Sequence, residues 1–413
     1  MTLITRSDDL RVRNRHRVIS AVRSNGALSR IDMARETGLS AATVTAITAE
    51  LVEHEVLVTT EETDRQRAGR GRPKTTLAVN PDRAMVVTVV FKRNGVASAV
   101  FNYAGAMICE QVVAADTLSL SLDHIRHLLE QSVADVLEIA GKADRLRWIV
   151  VGVQGPTDID GKRLLWSPVI RHRDLPIAAW LSERFSVPVE VRNDCDMIAQ
   201  SLHWHKPEWF GTDFAAVLLS YGVGMALFHG GRPASGRLSS AMEFGHMTYM
   251  PNGALCRCGK RGCIEAYAGD YAISRRATGQ EPSASGDHEA DLDRADLDRI
   301  VALARAGDVD ALNAIEIAGA ALGTGLANLF ALTDPLPVAL VGAGAKAFEF
   351  MESPLRHALE RNQSGHQGRT VDIKCFMDEM PIIQHGCAIT ALLVIDREIV
   401  AFEAGCVGVG DVL

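Results

Sequence analysis

Cys256, Cys258 and Cys263 fall within eight residues, together with Gly259 and Gly262, so the backbone must turn back on itself in a tight knuckle if the three thiols are to share one partner. His246 lies ten residues upstream in Glu243-Phe244-Gly245-His246, which puts a Cys₃His set within one short loop. Closed, thiolate-rich sets of this kind select zinc. The competing reading is a disulfide. The chain begins MTLITRSDDLRVRNRHR, with no apolar signal core, which predicts a reducing, cytoplasmic setting where clustered cysteines serve as metal ligands more often than as bridges. Glu243 and Glu265 flank the knuckle without being needed by the metal, and two carboxylates over a rigid loop suit the hydroxyls of a sugar. Cys109, Cys195, Cys375, Cys387 and Cys406 are scattered singly among apolar residues and read as core.

The knuckle is a small part of a chain of 413 residues, 47% hydrophobic and 23% charged, long enough for two or three domains with ample core. No apolar run reaches the roughly eighteen residues of a membrane span, so no membrane partner is expected. Charge is uneven. Residues 1–80 carry 13 Lys and Arg against 10 Asp and Glu, net +3, whereas the remainder carries 30 against 41, net −11. An acidic body excludes broad nucleic-acid binding and leaves that role to the basic end.

That end, residues 1–80, reads as a winged helix-turn-helix domain. Apolar residues recur with helical period at Val18, Ile19 and Val22, at Leu28, Ile31 and Ala34, and at Val44, Ile47 and Leu51, predicting three short helices broken at Gly26 and Gly38. Ser40 caps the third. Its outward face then shows Ala41, Ala42, Thr43, Thr45 and Ala46, small side chains and hydroxyls that allow close approach to a major groove. Two alternating segments, Val56-Leu57-Val58 and Thr75 to Val79, form a hairpin. Between them Arg65 to Lys74 holds five positive charges and no negative one. Gly69-Arg70-Gly71-Arg72-Pro73 is narrow and flexible enough to place Arg70 and Arg72 in a minor groove. Ser40, Ala42, Thr43, Thr45, Arg70 and Arg72 are therefore the expected DNA contacts.

Residues 81–413 read as a two-lobed α/β body. Three strands near Met85–Phe91, Val96–Phe101 and Ala106–Ile108 precede a helix over Leu122–Ala140 and a buried strand at Trp148–Val153. A second round opens at Phe214–Leu219 and closes at Val338–Gly342, followed by helices. The acidic stretch from Thr278 to Asp298 is expected to be a surface loop.

Glu243 to Met247 followed by Cys256 to Glu265 resembles the signature of the ROK family, which comprises repressors, open-reading-frame products and sugar kinases on an actin/hexokinase-like fold. Gly152-Val153-Gln154-Gly155-Pro156 and Asn193-Asp194 match weaker motifs of that family, and the resemblance covers nearly the whole chain. It implies that His246, Cys256, Cys258 and Cys263 hold zinc, that Asn193, Asp194, Glu243, His246 and Glu265 line a sugar pocket, and that Asp194 is the base in the kinase members.

The chain departs from the kinases where ATP is held. Their first lobe opens on an Asp-x-Gly-Gly-Thr loop whose glycines let backbone N–H groups approach the phosphates; here Val90-Phe91-Lys92-Arg93-Asn94 occupies that turn. In Leu219-Ser220-Tyr221-Gly222-Val223-Gly224, Tyr221 replaces a small hydroxyl residue. Gly342-Ala343-Gly344 is open to two readings, a nucleotide loop or, more often for such a run in isolation, a strand-to-helix turn. Trp166-Ser167-Pro168-Val169 has Val169 where many sugar-binding members carry Asn, which removes an amide contact. These features predict a transcriptional repressor and not an enzyme, with operator DNA and a sugar or sugar phosphate as partners. Symmetric reading of an operator calls for a homodimer or homotetramer. The alternative is a sugar kinase with an N-terminal extension.

Overall fold

The computed structural model describes residues 5–61, 75–237, 239, 242–279, 294–362 and 370–402. Arg70 and Arg72, Cys406 and most of the acidic stretch lie outside these residues.

The head consists of α1 (Thr5–Asn25), β1 (Leu28–Ser29), α2 (Arg30–Thr37), α3 (Ala41–Glu53), β2 (Leu57–Glu61) and β3 (Thr75–Val79), with an antiparallel sheet in the order β1-β3-β2. Three helices and a small antiparallel sheet result, and local chemistry sets their boundaries. Ser29 and Ser40 cap α2 and α3 by accepting from the backbone N–H groups of Asp32 and Thr43, and Gly38 closes α2 in the left-handed region at φ 66°. Val44, Ile47 and Leu51 are buried as expected, while Ala41, Ala42, Thr45 and Ala46 face solvent and Thr43 is half-exposed. Ile31 does not follow the expectation. It is 75% exposed, and Met33 takes the interior place. Leu28 belongs to β1, so the helical phase starts afresh at Arg30 and the spacing from Leu28 to Ile31 does not lie on one helix face. Buried Arg15 of α1 pairs with Glu50 of α3, and Arg30 Nε donates to Thr48 Oγ1 at 2.8 Å, fixing α3 on its supports.

The first lobe holds β4 (Met85–Lys92), β5 (Gly95–Asn102), β6 (Met107–Ala114), α4 (Leu122–Ala140), β7 (Leu146–Val153), α5 (Ile177–Phe185), β8 (Val189–Asn193) and α6 (Asp194–His205), with sheet order β6-β5-β4-β7-β8. β4 reads as an unbroken apolar run because both its faces are covered. Met85, Val87, Val89 and Phe91 pack with Ile125, Leu129 and Val133 of α4, and Val86 and Val90 pack on the opposite side.

The second lobe contains β9 (Phe214–Leu219), β10 (Val223–His229), β11 (Arg232–Pro233), α7 (Glu265–Ala268), α8 (Asp270–Ala277), α9 (Arg294–Arg305), α10 (Val309–Thr333), β12 (Val338–Val341), α11 (Phe348–Asn362) and β13 (Ile373–Phe376), in the sheet order β11-β10-β9-β12-β13. The end of the expected acidic loop, from Arg294, is helical and begins α9. Helix α10 is long and apolar enough by composition to cross a membrane, yet most of its apolar window is buried. Gly323 lets it meet α11 closely, since a Cβ there would stand 2.2 Å from the Leu355 carbonyl oxygen. The final helix, α12 (Glu379–Phe402), returns to the first lobe and covers the second face of β4, with Ile383, Cys387, Leu392 and Ile395 in its core. That core continues into Val18, Ile19 and Val22 of α1, so head and body share one apolar interior.

Candidate functional site

A cleft of about 540 Å³ opens between the lobes, walled by residues of both, among them Gly155, Trp166, Pro168, Asn193, Asp194, Gly222, Met242, Glu243, His246 and Glu265. All five expected sugar contacts are thus brought together. Val169 is not in this wall; it is buried in the first lobe, where its carbonyl accepts from the Thr117 hydroxyl at 2.6 Å.

The knuckle forms one face of the cleft. His246 Nδ1 and the sulfurs of Cys256, Cys258 and Cys263 all lie within 4.8 Å of one another. Cys256 Sγ is 3.7 Å from His246 Nδ1, and Cys258 Sγ is 3.7 Å from Cys263 Sγ. A tetrahedral ion with sulfur at about 2.3 Å sets its ligands about 3.8 Å apart, so these residues fit a metal ion. Without a cation the arrangement is unfavourable to thiolates, because burial pushes Cys256 and Cys263 up, Cys263 to about 11, and neighbouring sulfurs and Glu265 add to the effect. The Tyr271 hydroxyl donates to Cys256 Sγ at 3.9 Å. His246 presents Nδ1 to the sulfurs and Nε2 toward Glu243, 3.7 Å from Oε2, so its two nitrogens serve the metal set and the cleft separately.

Glu265, at the start of α7, is 8% exposed and joins the knuckle to the second lobe. Its Oε2 accepts from the Val223 N–H at 3.2 Å and its Oε1 lies 3.6 Å from Cys256 Sγ. A Cβ at Gly222 would stand 2.6 Å from Oε2, so any side chain there would displace the Glu265 carboxylate. Glu243 is half-exposed and open to a ligand. Across the cleft Asn193 caps α6 by accepting from the Cys195 N–H, while its Nδ2 donates to the Gly155 carbonyl at 2.9 Å. Asp194 also accepts from the Cys195 N–H at 2.9 Å, but burial dominates and raises its carboxyl to about 7. Asp196, one residue beyond Cys195 and buried as well, is pushed to about 8 by burial.

The turn after β4 and the turn after β9 meet through side chains. The Arg93 guanidinium lies 4.5 Å from the ring centre of Tyr221, and Arg257 covers the same ring at 3.4 Å while standing 3.7 Å from the ring of Tyr271. Arg257 Nη2 also donates to the Tyr221 carbonyl at 2.9 Å. Guanidinium groups and aromatic rings therefore fill the space between the two turns and connect the lobes. In the sequence Arg93 and Tyr221 register only as losses, and Arg257 and Tyr271 do not stand out; the one local signal is a cation set between two ligating cysteines.

On the head, Ser40 Oγ and Thr43 Oγ1 are 2.8 Å apart and Thr45 Oγ1 donates to the Ala41 carbonyl at 2.8 Å. Thr43 is half-exposed and Thr45 exposed, among Ala41, Ala42 and Ala46, so this face of α3 carries no charge.

A sequence model of the ROK family matches residues 94–375. The N-acetylglucosamine repressor of Escherichia coli O6:H1 is 24% identical over 377 residues, covering 90% of this chain and 89% of that protein. A glucokinase of Halalkalibacterium halodurans is 28% identical over 248 residues, covering 56% of this chain and 74% of its own. Among solved structures, a ROK family transcriptional regulator described as a homolog of the E. coli MLC protein is 22% identical and superposes with a TM-score of 0.74, covering 96% of this chain and 99% of its own. That similarity of fold extends through the head.

Proposed function

The chain belongs to the ROK family, and we propose that it is a sugar-responsive repressor whose head (residues 1–80) reads operator DNA and whose body (81–413) takes a sugar or sugar phosphate without phosphorylating it. The observation that carries this reading is the union in one chain of a capped three-helix head, α3 presenting small and hydroxyl side chains, with a cleft lined by Asp194, Glu243 and Glu265. Relatives that are repressors support it. Asn193, Asp194, Glu243, His246 and Glu265 bind the sugar hydroxyls; Ser40, Ala42, Thr43 and Thr45 meet base edges and phosphates, and Arg70 and Arg72 follow the backbone into a minor groove.

His246, Cys256, Cys258 and Cys263 hold a zinc ion, which supplies structural cross-linking and no reaction step. With these four residues so held, His246 would be fixed directly and Glu265 through Cys256, 3.6 Å from its Oε1, and both would support the cleft wall. The protein works as a homodimer or homotetramer, because one small face of α3 reads too few bases for a specific site. Its place is the cytoplasm, where its DNA is.

A kinase is the second reading, favoured by one observation. Asp194 sits in the cleft wall with a carboxyl near the operating pH, as a general base requires. Phosphoryl transfer depends on positioning and neutralising the γ-phosphate; the end of β4 and the turn after it offer Lys92, Arg93 and Asn94 in place of a glycine pair, although Gly222 and Gly224 still line the cleft. The test is one preparation assayed twice, for binding of a duplex selected from a random pool and for ADP release with ATP and a panel of hexoses, pentoses and amino sugars. Duplex binding without sugar-dependent ADP release is expected; turnover near the usual kinase range of about 1–100 s⁻¹ overturns the repressor reading.

A further inference from the structure

Helix α12 reaches both the cleft and the head, and it is fixed at each end by contacts that do not slide. At the cleft it is seated on α6, the helix whose first turn carries Asp194. Gly386 lies so close to that helix that a Cβ would stand 1.9 Å from the Met197 carbonyl oxygen, and the Thr390 hydroxyl donates to Met197 Sδ at 3.5 Å. Glu379 is near enough to Asp194 to raise its carboxyl. At the head the same helix presents Asp396. Arg23 of α1 donates to both oxygens of that carboxylate at 2.7 Å, the Tyr103 hydroxyl donates to Oδ1 at 2.6 Å, and Arg23 Nη1 donates to the Tyr103 carbonyl at 2.6 Å. The Arg23 and Asp396 side chains are 3% and 1% exposed.

We propose that α12 is a rigid lever that carries displacements of the cleft wall to the DNA-reading head, and that Arg23, Tyr103 and Asp396 form its joint; the physiological meaning of that motion rests on the repressor reading above. A bidentate guanidinium–carboxylate pair has one good geometry, and a dry interior offers neither charge a substitute partner. An apolar interface alone would let α1 slip over α12 at little cost. With this joint closed, α1 follows α12, and α3 follows α1 because Arg15 pairs with Glu50. From Glu379 to Asp396 the lever spans about 25 Å at 1.5 Å per residue. Tyr103, at the end of the β5 strand, braces the joint against the first lobe with its ring 4.6 Å from the Arg23 guanidinium. These three are positioning residues, since none of them lines the cleft.

The test is a double-mutant cycle read by hydrogen exchange on the full-length protein, with no ligand added. Gly386→Ala forces α12 off α6 at the cleft end. With the joint intact, exchange of the amides in α1 and α3 is expected to change by at least about fivefold; in the Asp396→Asn background the same substitution should leave them unchanged, a coupling between distant sites that independent mutations do not show. Tyr103→Phe, which removes one hydroxyl, serves as the milder joint variant, and Thr390→Val as the milder cleft variant should either first choice fail to fold. Head amides indifferent to Gly386→Ala with the joint intact, or equally affected with and without the joint, overturn the proposal. Random-pool duplex binding, measured beside it, reports separately on the repressor reading: a lever that transmits in a protein binding no duplex retains the joint and removes the repressor.

Discussion

Arg93 in the first lobe lies over the ring of Tyr221 in the second, the guanidinium carbon 4.5 Å from the ring centre. Arg93 stands in the turn after β4 and Tyr221 in the turn after β9, so their contact ties the two lobes together. Tyr221→Ala should therefore lower the melting temperature by the few degrees that about 0.5–2 kcal/mol represents, and it should confer no ATP turnover. Differential scanning calorimetry and a coupled ADP assay check both halves; gain of kinase activity in Tyr221→Ala would mean that the ring merely blocks a functional phosphate site.

One zinc equivalent per chain is expected by elemental analysis of the purified protein, lost in Cys258→Ser. Cys258 is the exposed ligand of the four, so the hydroxyl there is tolerated by the fold and the loss reports on coordination. Native protein free of metal would exclude the site.

Legibility in the sequence follows how local each feature is. The knuckle, the cap at Ser40 and the limits of α4 are readable because each is decided within a few residues, as with Ser121 accepting from the His124 N–H and Gly141 closing the helix in the left-handed region. Strand β8 escapes reading because Glu190 and Arg192 interrupt its apolar residues, and they do so by pairing with each other at 2.7 Å. Strand β13 is four residues long, too short for a periodic signal. The stacking of Arg93 on Tyr221 and the pairing of Arg23 with Asp396 join segments far apart in the chain, and no spacing rule reaches across that separation.

In the head the two kinds of DNA-facing residue should separate experimentally. Replacing Arg70 and Arg72 with Ala should weaken binding to every duplex and reduce the slope of log K against log salt by about 2, one for each phosphate left without its cation. Thr43→Val or Thr45→Val should instead redistribute preference among operators with the slope unchanged. Fluorescence anisotropy across a salt series distinguishes them, and a Thr45→Val profile identical to the unmutated protein on all duplexes would remove α3 from the reading surface.

Stability should fall as pH rises from the acid side toward neutrality. Unfolded, Asp196 titrates near the ordinary value of about 3.9; folded, it holds its proton to about 8, so between those values the native state binds more protons and loses stability with each step upward. Asp194, raised to about 7, acts in the same direction. Asp196→Asn should flatten part of the decline in melting temperature between about pH 5 and pH 8. An unchanged slope would show that Asp196 is ionised in the native protein.

Glu243→Ala and Glu265→Ala should each abolish the effect of a bound sugar on duplex release while leaving duplex affinity within about threefold, because neither residue reaches the head. Thermal shift against a sugar panel identifies the ligand for this measurement. Normal sugar response in both variants would place the ligand elsewhere.

The apolar interior does not stop where β3 ends at Val79, since α1 and α12 share one core. Cutting there, to transplant this head onto another body or another head onto this one, would take Arg23 from Asp396, leave that buried carboxylate with the Tyr103 hydroxyl, and divide a core that α1 shares with α12. Interchange of heads thus demands that Arg23, Tyr103 and Asp396 travel as a set, although they come from the head, the first sheet and the last helix. A recombination event that swapped only the first eighty residues would yield a misfit, and what passes for a modular protein is, at this seam, inherited whole.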